Sequence, residues 1–118
     1  MNDFNDYKSI QTPIGGRIYT LYVADEHEKR VKGLSGIRHL SKSEGMFFKH
    51  DKMGCRSYTM ENTHIPLRII FINDNFNVVN EFNAKPCQKE EVNPEVDFMY
   101  VIEILGRYKE FYCEITVK

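Results

Sequence analysis

The chain predicts a mainly β (α+β) fold: a small single-domain barrel or curled antiparallel sheet of about seven or eight short strands, with one short helix near residues 26–32. Three observations carry this expectation. The 118 residues suffice for one hydrophobic core and fall short of two, so residues 1–118 are read as one domain with a flexible lead over 1–8. Apolar residues recur in short runs separated by glycine, proline and asparagine, which is the pattern of strands and turns. One window, Ala24 to Gly33, instead combines a helix start signal, helix-forming residues and a closing glycine.

From the N-terminus, "YKSIQTPIGGRIYTLYVA" places two alternating runs around Pro13-Ile14-Gly15-Gly16, where proline presets one dihedral and the glycines allow positive φ. This predicts a hairpin whose second strand is apolar on both faces and therefore central. Asp25 followed by Glu28 is a capping-box variant, and Gly33 is placed to end a two-turn helix. The Ser41-x-x-Glu44 signal is closed at once by Gly45 and predicts a single turn. "GMFFKH", the run from Cys55 to Met60, and Leu67 to Ile72 read as strands, the last buried on both sides. "IIFINDNFNVVNEF" reads as a hairpin through Asn73-Asp74-Asn75, residue types that tolerate positive φ. "KPCQKEEVNPEVD" reads as a long loop, either functional or a solvated excursion. "FMYVIEIL" is a core strand, and "EFYCEITVK" is a half-buried terminal one.

Sixteen Lys and Arg against seventeen Asp and Glu leave a formal charge of −1, too little net field to hold a phosphate backbone, so no nucleic-acid partner is expected. The N-terminal segment has no apolar signal core, and no apolar run approaches the roughly 20 residues that span a bilayer. Neither membrane association nor export is expected, and the cytoplasm is the compartment predicted. Cys55, Cys87 and Cys113 are odd in number and contain no C-x-x-C pair, which predicts three free, mainly structural thiols.

Five ordered motifs carry a resemblance: "AD..EKR..GL" at Ala24 to Leu34, "GMFF" at Gly45 to Phe48, "M.NT.IPL" at Met60 to Leu67, "PC" at Pro86 and Cys87, and "YVIE" at Tyr100 to Glu103. In order and spacing the chain resembles the prokaryotic family catalogued as domain of unknown function 192, over roughly nine-tenths of its length. The resemblance implies a compact, mostly β domain without an established activity, often exported or lipid-anchored in relatives. Where the family commonly has a basic residue after the methionine and an acidic one after "IPL", this sequence has Glu61 and Arg68. The swap preserves an ion pair if the two face each other, and otherwise leaves two independent surface charges. The second cysteine that many relatives carry after "PC" is absent, and Ile37 stands where an arginine is common.

The candidate ligand-binding residues are Met60, Asn62, Thr63, His64 and Cys87, in the polar corner "YTMENTHIPLRIIFI" and the long loop. Asn62 and Thr63 also suit a plain turn, since their side chains satisfy backbone groups while Pro66 holds Ile65 extended. Met46 and Met60 read as core before they read as pocket lining. His27, His39, His50 and His64 show no tight zinc spacing, so no metal and no cofactor is predicted. Two functions remain open. One is a non-catalytic module that binds an unknown small ligand or a protein near the Met60–Leu67 turn. The other is a small enzyme using Cys87, activated by Lys85 or Lys89, or His64.

Overall fold

The computed structural model describes residues 4–106. Within them lie β1 (Ser9–Ile14), β2 (Arg17–Ala24), α1 (His27–Lys32), β3 (Glu44–Gly54), β4 (Leu67–Ile72), β5 (Val78–Ala84) and β6 (Phe98–Leu105). The six strands form one sheet in the order β1-β2-β3-β6-β4-β5. The fold is mainly β, as the sequence predicts, but among the described residues the sheet is not closed into a barrel: β1 and β5 end the strand order at opposite edges. Nor is the sheet wholly antiparallel. β2 and β3 run parallel, because α1 and the segment after it carry the chain back across one face before β3 begins.

The first hairpin closes as the sequence requires. Ile14 pairs with Arg17, leaving Gly15 and Gly16 as a two-residue turn with φ of +57° and +84°, the double positive φ that matches strand twist. Pro13 is tolerated because β1 is an edge strand. In the β4–β5 hairpin the positive φ falls on Phe76, at +62°, and not on the asparagines. Asn73 instead accepts hydrogen bonds on Oδ1 from the Asn75 and Asn77 backbone N–H groups, at 2.9 and 3.0 Å. The Phe76 ring stacks on Tyr100 at 4.7 Å.

α1 begins one residue later than the Asp25 signal suggests. Its N-cap is Glu26 without a side-chain cap, while Asp25 pairs with Lys8 at 3.2 Å, so the capping-box variant does not form. Gly33 follows the helix at φ +48°, and a Cβ there would lie 3.3 Å from the Phe48 ring. The glycine lets the helix end approach the sheet closely. Ser41 to Glu44 form the expected single turn, with the Ser41 N–H donating to Glu44 Oε1 at 3.2 Å. The Cys55–Met60 run is not a strand. It makes one isolated bridge, Tyr58 to Val92, which ties it to the long loop. The terminal strand expected over "EFYCEITVK" lies outside the described residues.

Both sheet faces are apolar at the centre. Tyr22, Met46, Phe48, Ile69, Phe71 and Val101 belong to one cluster, which also takes in Leu34, Ile37, Met60 and Ile65 from the connecting segments. Leu21, Ile70, Ile72, Tyr100 and Ile104 form the other. Phe4 also enters the first cluster and stacks on Tyr22 at 4.5 Å. Phe71 is fully buried, with ring contacts to Phe98 at 4.8 Å and Tyr58 at 5.8 Å. Its truncation to alanine is expected to cost roughly 3 to 5 kcal/mol in chemical denaturation, and a loss below about 1 kcal/mol would contradict this packing.

Candidate functional site

The connecting segments lie against the first sheet face, and between them they leave a cavity of about 820 Å³. α1 and the residues after it contribute Arg30, Leu34 and Ser35, β3 contributes Phe48 and His50, and the segment before β4 contributes Arg56, Tyr58, Asn62 and Thr63. Glu103 of β6 lines the same cavity from the sheet. Its register partners are Met46 on β3 and Ile69 on β4, both fully buried.

Glu103 is the anomaly of the site. It is 4% exposed, and among the described residues no group hydrogen-bonds its carboxyl. Burial alone pushes its pKa up from 4.5 to about 8, so the group is held as a neutral acid at pH 7. Beside it, the Tyr58 hydroxyl and His50 Nε2 share a hydrogen bond of 2.7 Å. Burial, followed by the charges of Arg56 and Arg30, depresses His50 from 6.5 to about 4. Burial, and then the proximity of Glu103, raises the Tyr58 phenol above its ordinary value. The three groups are therefore uncharged together near neutral pH.

The two arginines are fixed from behind. Arg56 donates to the carbonyls of Lys52, Gly54 and Phe98 at 2.7, 3.2 and 3.3 Å, which binds the irregular end of β3 to the start of β6. Arg30 donates to the Lys49 carbonyl at 2.9 Å and lies 3.9 Å from Asp51. Both arginines brace the wall and line the cavity.

The five residues singled out in the sequence occupy the cavity's far wall and the ground behind it. Asn62, at φ +56°, donates from Nδ2 to Ser35 Oγ at 3.0 Å, while its Oδ1 meets His64 Nε2 at 2.9 Å. Its carbonyl also accepts from the Gly36 N–H at 2.8 Å, which ties the turn to the segment after α1. Asn62 borders both this cavity and a second one of about 580 Å³ that Cys87 also lines. Thr63 lines the main cavity and accepts the Cys87 N–H on its carbonyl at 2.9 Å. Met60 is core, and His64 lines neither cavity, its Nδ1 lying 3.8 Å from Cys87 Sγ.

Cys87 is disulfide-bonded and Cys55 is the free cysteine among the described residues, which corrects the expectation of three free thiols. Its sulfur is accordingly no thiolate nucleophile, and cysteine usage no longer argues for a reducing compartment. The Glu61–Arg68 ion pair does not form: Arg68 crosses to Glu81 on β5, with Nε at 2.6 Å from Oε2. Among the described residues no group of three His, Cys, Asp or Glu side chains is placed to hold a metal ion, and no helix is long and apolar enough to cross a membrane.

The sequence does not single out Glu103, Tyr58, Arg30 or Arg56, and His50, weighed there with the other histidines for metal binding, is set aside for want of a tight spacing. One signal was present: Glu103 is the only charged residue in the strand "FMYVIEIL". Its linkage to stability is testable. The folded state keeps a proton that the unfolded chain releases above 4.5, so the stability contributed is fully present below 4.5 and lost as pH rises through about 8. His50 acts in the opposite sense, but only below its ordinary value of 6.5. Between pH 6.5 and 8 the Glu103 slope is therefore unopposed by His50. In denaturant titrations the wild type should lose up to about 1.4 kcal/mol per pH unit relative to Glu103→Gln across that window, whereas parallel curves would contradict the assignment.

With this geometry established, the relatives fall into place. The sequence profile of the uncharacterized ACR family, domain of unknown function 192, matches residues 10–111. No functionally curated protein matches the chain. Among solved structures, a candidate transcription regulator from Sinorhizobium meliloti is similar at a TM-score of 0.73 and 24% identity, covering 85% of this chain and 82% of that one. A protein of unknown function from Novosphingobium aromaticivorans is similar at a TM-score of 0.70 and 24% identity, covering 90% and 86%. Those identities speak for a shared fold alone. The match over residues 10–111 makes this chain a member of the domain of unknown function 192 family.

Proposed function

We propose that the protein is a non-catalytic module that binds a small ligand in the cavity between α1, the end of β3 and the Arg56–Thr63 segment. One observation carries the reading: a carboxyl group that is 4% exposed, without a hydrogen-bond partner among the described residues, lines a cavity of about 820 Å³. Burial of the acid is itself costly, as its raised pKa records, while its oxygens keep access to the cavity, since no buried side-chain N or O atom among the described residues is left without a partner. A fold that needed only core there would place an aliphatic residue, as β6 does on the same face at Val101 and Leu105. Polar groups kept at such a cost belong to sites more often than to scaffolds. The cavity volume suits a metabolite-sized molecule, and the apolar Phe48 and Leu34 beside a few polar groups give it the mixed lining such sites have.

The enzyme alternative has less support. It rests on Cys87, whose sulfur is in a disulfide, or on His64, which stands outside both cavities. A protein partner is favoured by no specific contact.

The test is a thermal-shift screen of metabolites, nucleotides and metal ions on the wild type and on Glu103→Leu. The variant, relieved of a buried acid, is expected to melt higher. A true ligand at 100 times its Kd should stabilise the wild type by about 2.7 kcal/mol and the variant by much less. A destabilised Glu103→Leu, or ligands that shift both proteins equally, would overturn the reading.

A further inference from the structure

The chemistry of the cavity narrows the class of ligand, on the reading that it is a ligand site. A protonated carboxyl presents an O–H donor beside a C=O acceptor, whereas an ionised one only accepts. No described residue supplies a cation to Glu103: Arg30 is committed to the Lys49 carbonyl and Asp51, and Arg56 to three carbonyls. Those fixed guanidiniums already disfavour the cationic form of His50, and they would disfavour a cationic ligand beside it in the same way. An anion that reached Glu103 would be desolvated at the base of the cavity by the same burial that raises the acid's own pKa. Phe48 and Tyr58, packed edge to face at 5.3 Å and 84°, put aromatic rings beside the acid, the Phe48 ring almost wholly buried.

We propose that the cavity takes a small, uncharged molecule that turns an amide or lactam edge, an N–H beside a C=O, toward the Glu103 carboxyl. The acid donates to the ligand carbonyl and accepts from the ligand N–H, a two-point match that no charged group offers. The Tyr58 hydroxyl and His50 stand ready as further neutral partners. Other charged or titratable groups face the cavity from each packed element: His27 and Lys32 from the helical side, Asp51 and Lys52 from β3, and Glu61 from the turn. Each of these lies at the cavity wall contributed by the connecting segments or the end of β3, while Glu103 alone comes from the centre of the sheet.

Three probes of one shape separate the possibilities: benzamide, benzamidine and benzoate, neutral, cationic and anionic between about pH 6 and pH 9. Each is titrated at millimolar concentration into the full chain, with amide NMR shifts of the cavity residues as readout, using wild type, Glu103→Gln and Glu103→Leu. His39→Gln, at a histidine that lines neither cavity, serves as a control. Benzamide is expected to bind best, with an affinity that falls about tenfold for each pH unit above the Glu103 pKa. Glu103→Gln keeps one donor and one acceptor, so it should bind benzamide with that pH dependence removed. Glu103→Leu should lose the binding, and His39→Gln should behave as wild type. Benzamidine binding that strengthens with pH and is abolished in Glu103→Gln would overturn the proposal by showing a working carboxylate, and preferential benzoate binding would overturn it as well. Either result would leave the cavity standing as a ligand site. If all three probes are silent the amide class falls, and the ligand-binding reading falls with it only when the metabolite screen is silent too.

Discussion

The burial of one carboxyl group at the centre of an apolar sheet face is the constraint on which the site depends. Glu103 stands between Met46 and Ile69 with no described partner, and it is tolerated because it holds its proton. An ionised carboxylate there would need a cation or a set of donors, and the sheet supplies neither. The surrounding groups conform to the same condition. His50 and Tyr58 are also kept neutral by burial, and the nearest guanidiniums are turned onto backbone carbonyls. The site is thus polar without being charged at its base, with charge confined to its braces and walls.

The topology explains how such a place arises. β3, β6 and β4 are adjacent, so residues distant in sequence share one face, and the parallel β2–β3 pair obliges the chain to cross that face through α1. The crossing segment and the Arg56–Thr63 segment cover the face, and the Gly36 to Asn62 and Asn62 to Ser35 hydrogen bonds sew them together. The cavity is what remains between the cover and the sheet at Glu103. The fold family supports many sites in principle, and the function belongs to this one.

Much of the architecture was legible because it is local. Gly15 and Gly16 announce their turn, the two apolar faces of Leu67 to Ile72 announce a central strand, and Gly33 announces the end of a helix. Sheet closure was not legible, since strand count says nothing of whether edges meet, and the parallel pair depends on where a crossover lands. The Cys55–Met60 run has strand-like composition yet finds a single bridge to Val92, because tertiary context decides pairing. At the site, the "NT" corner was visible as a polar break between apolar runs. Glu103 was visible only as a letter, because its significance lies in what β3, β4 and Tyr58 place around it, and those neighbours are 34 or more residues away. The disulfide at Cys87 was hidden by the odd cysteine count, which argues for free thiols only on average.

The central claim concerns the protonation of one side chain, and a titration of the Glu103 carboxyl carbon by NMR, assigned with Glu103→Gln, addresses it directly. The account predicts a single carboxyl that titrates near 8, well apart from the other carboxylates, and that is missing from the variant. Titration of Glu103 near the ordinary 4.5 would contradict it, and would mean that the group is solvated or paired and that the cavity's base is charged.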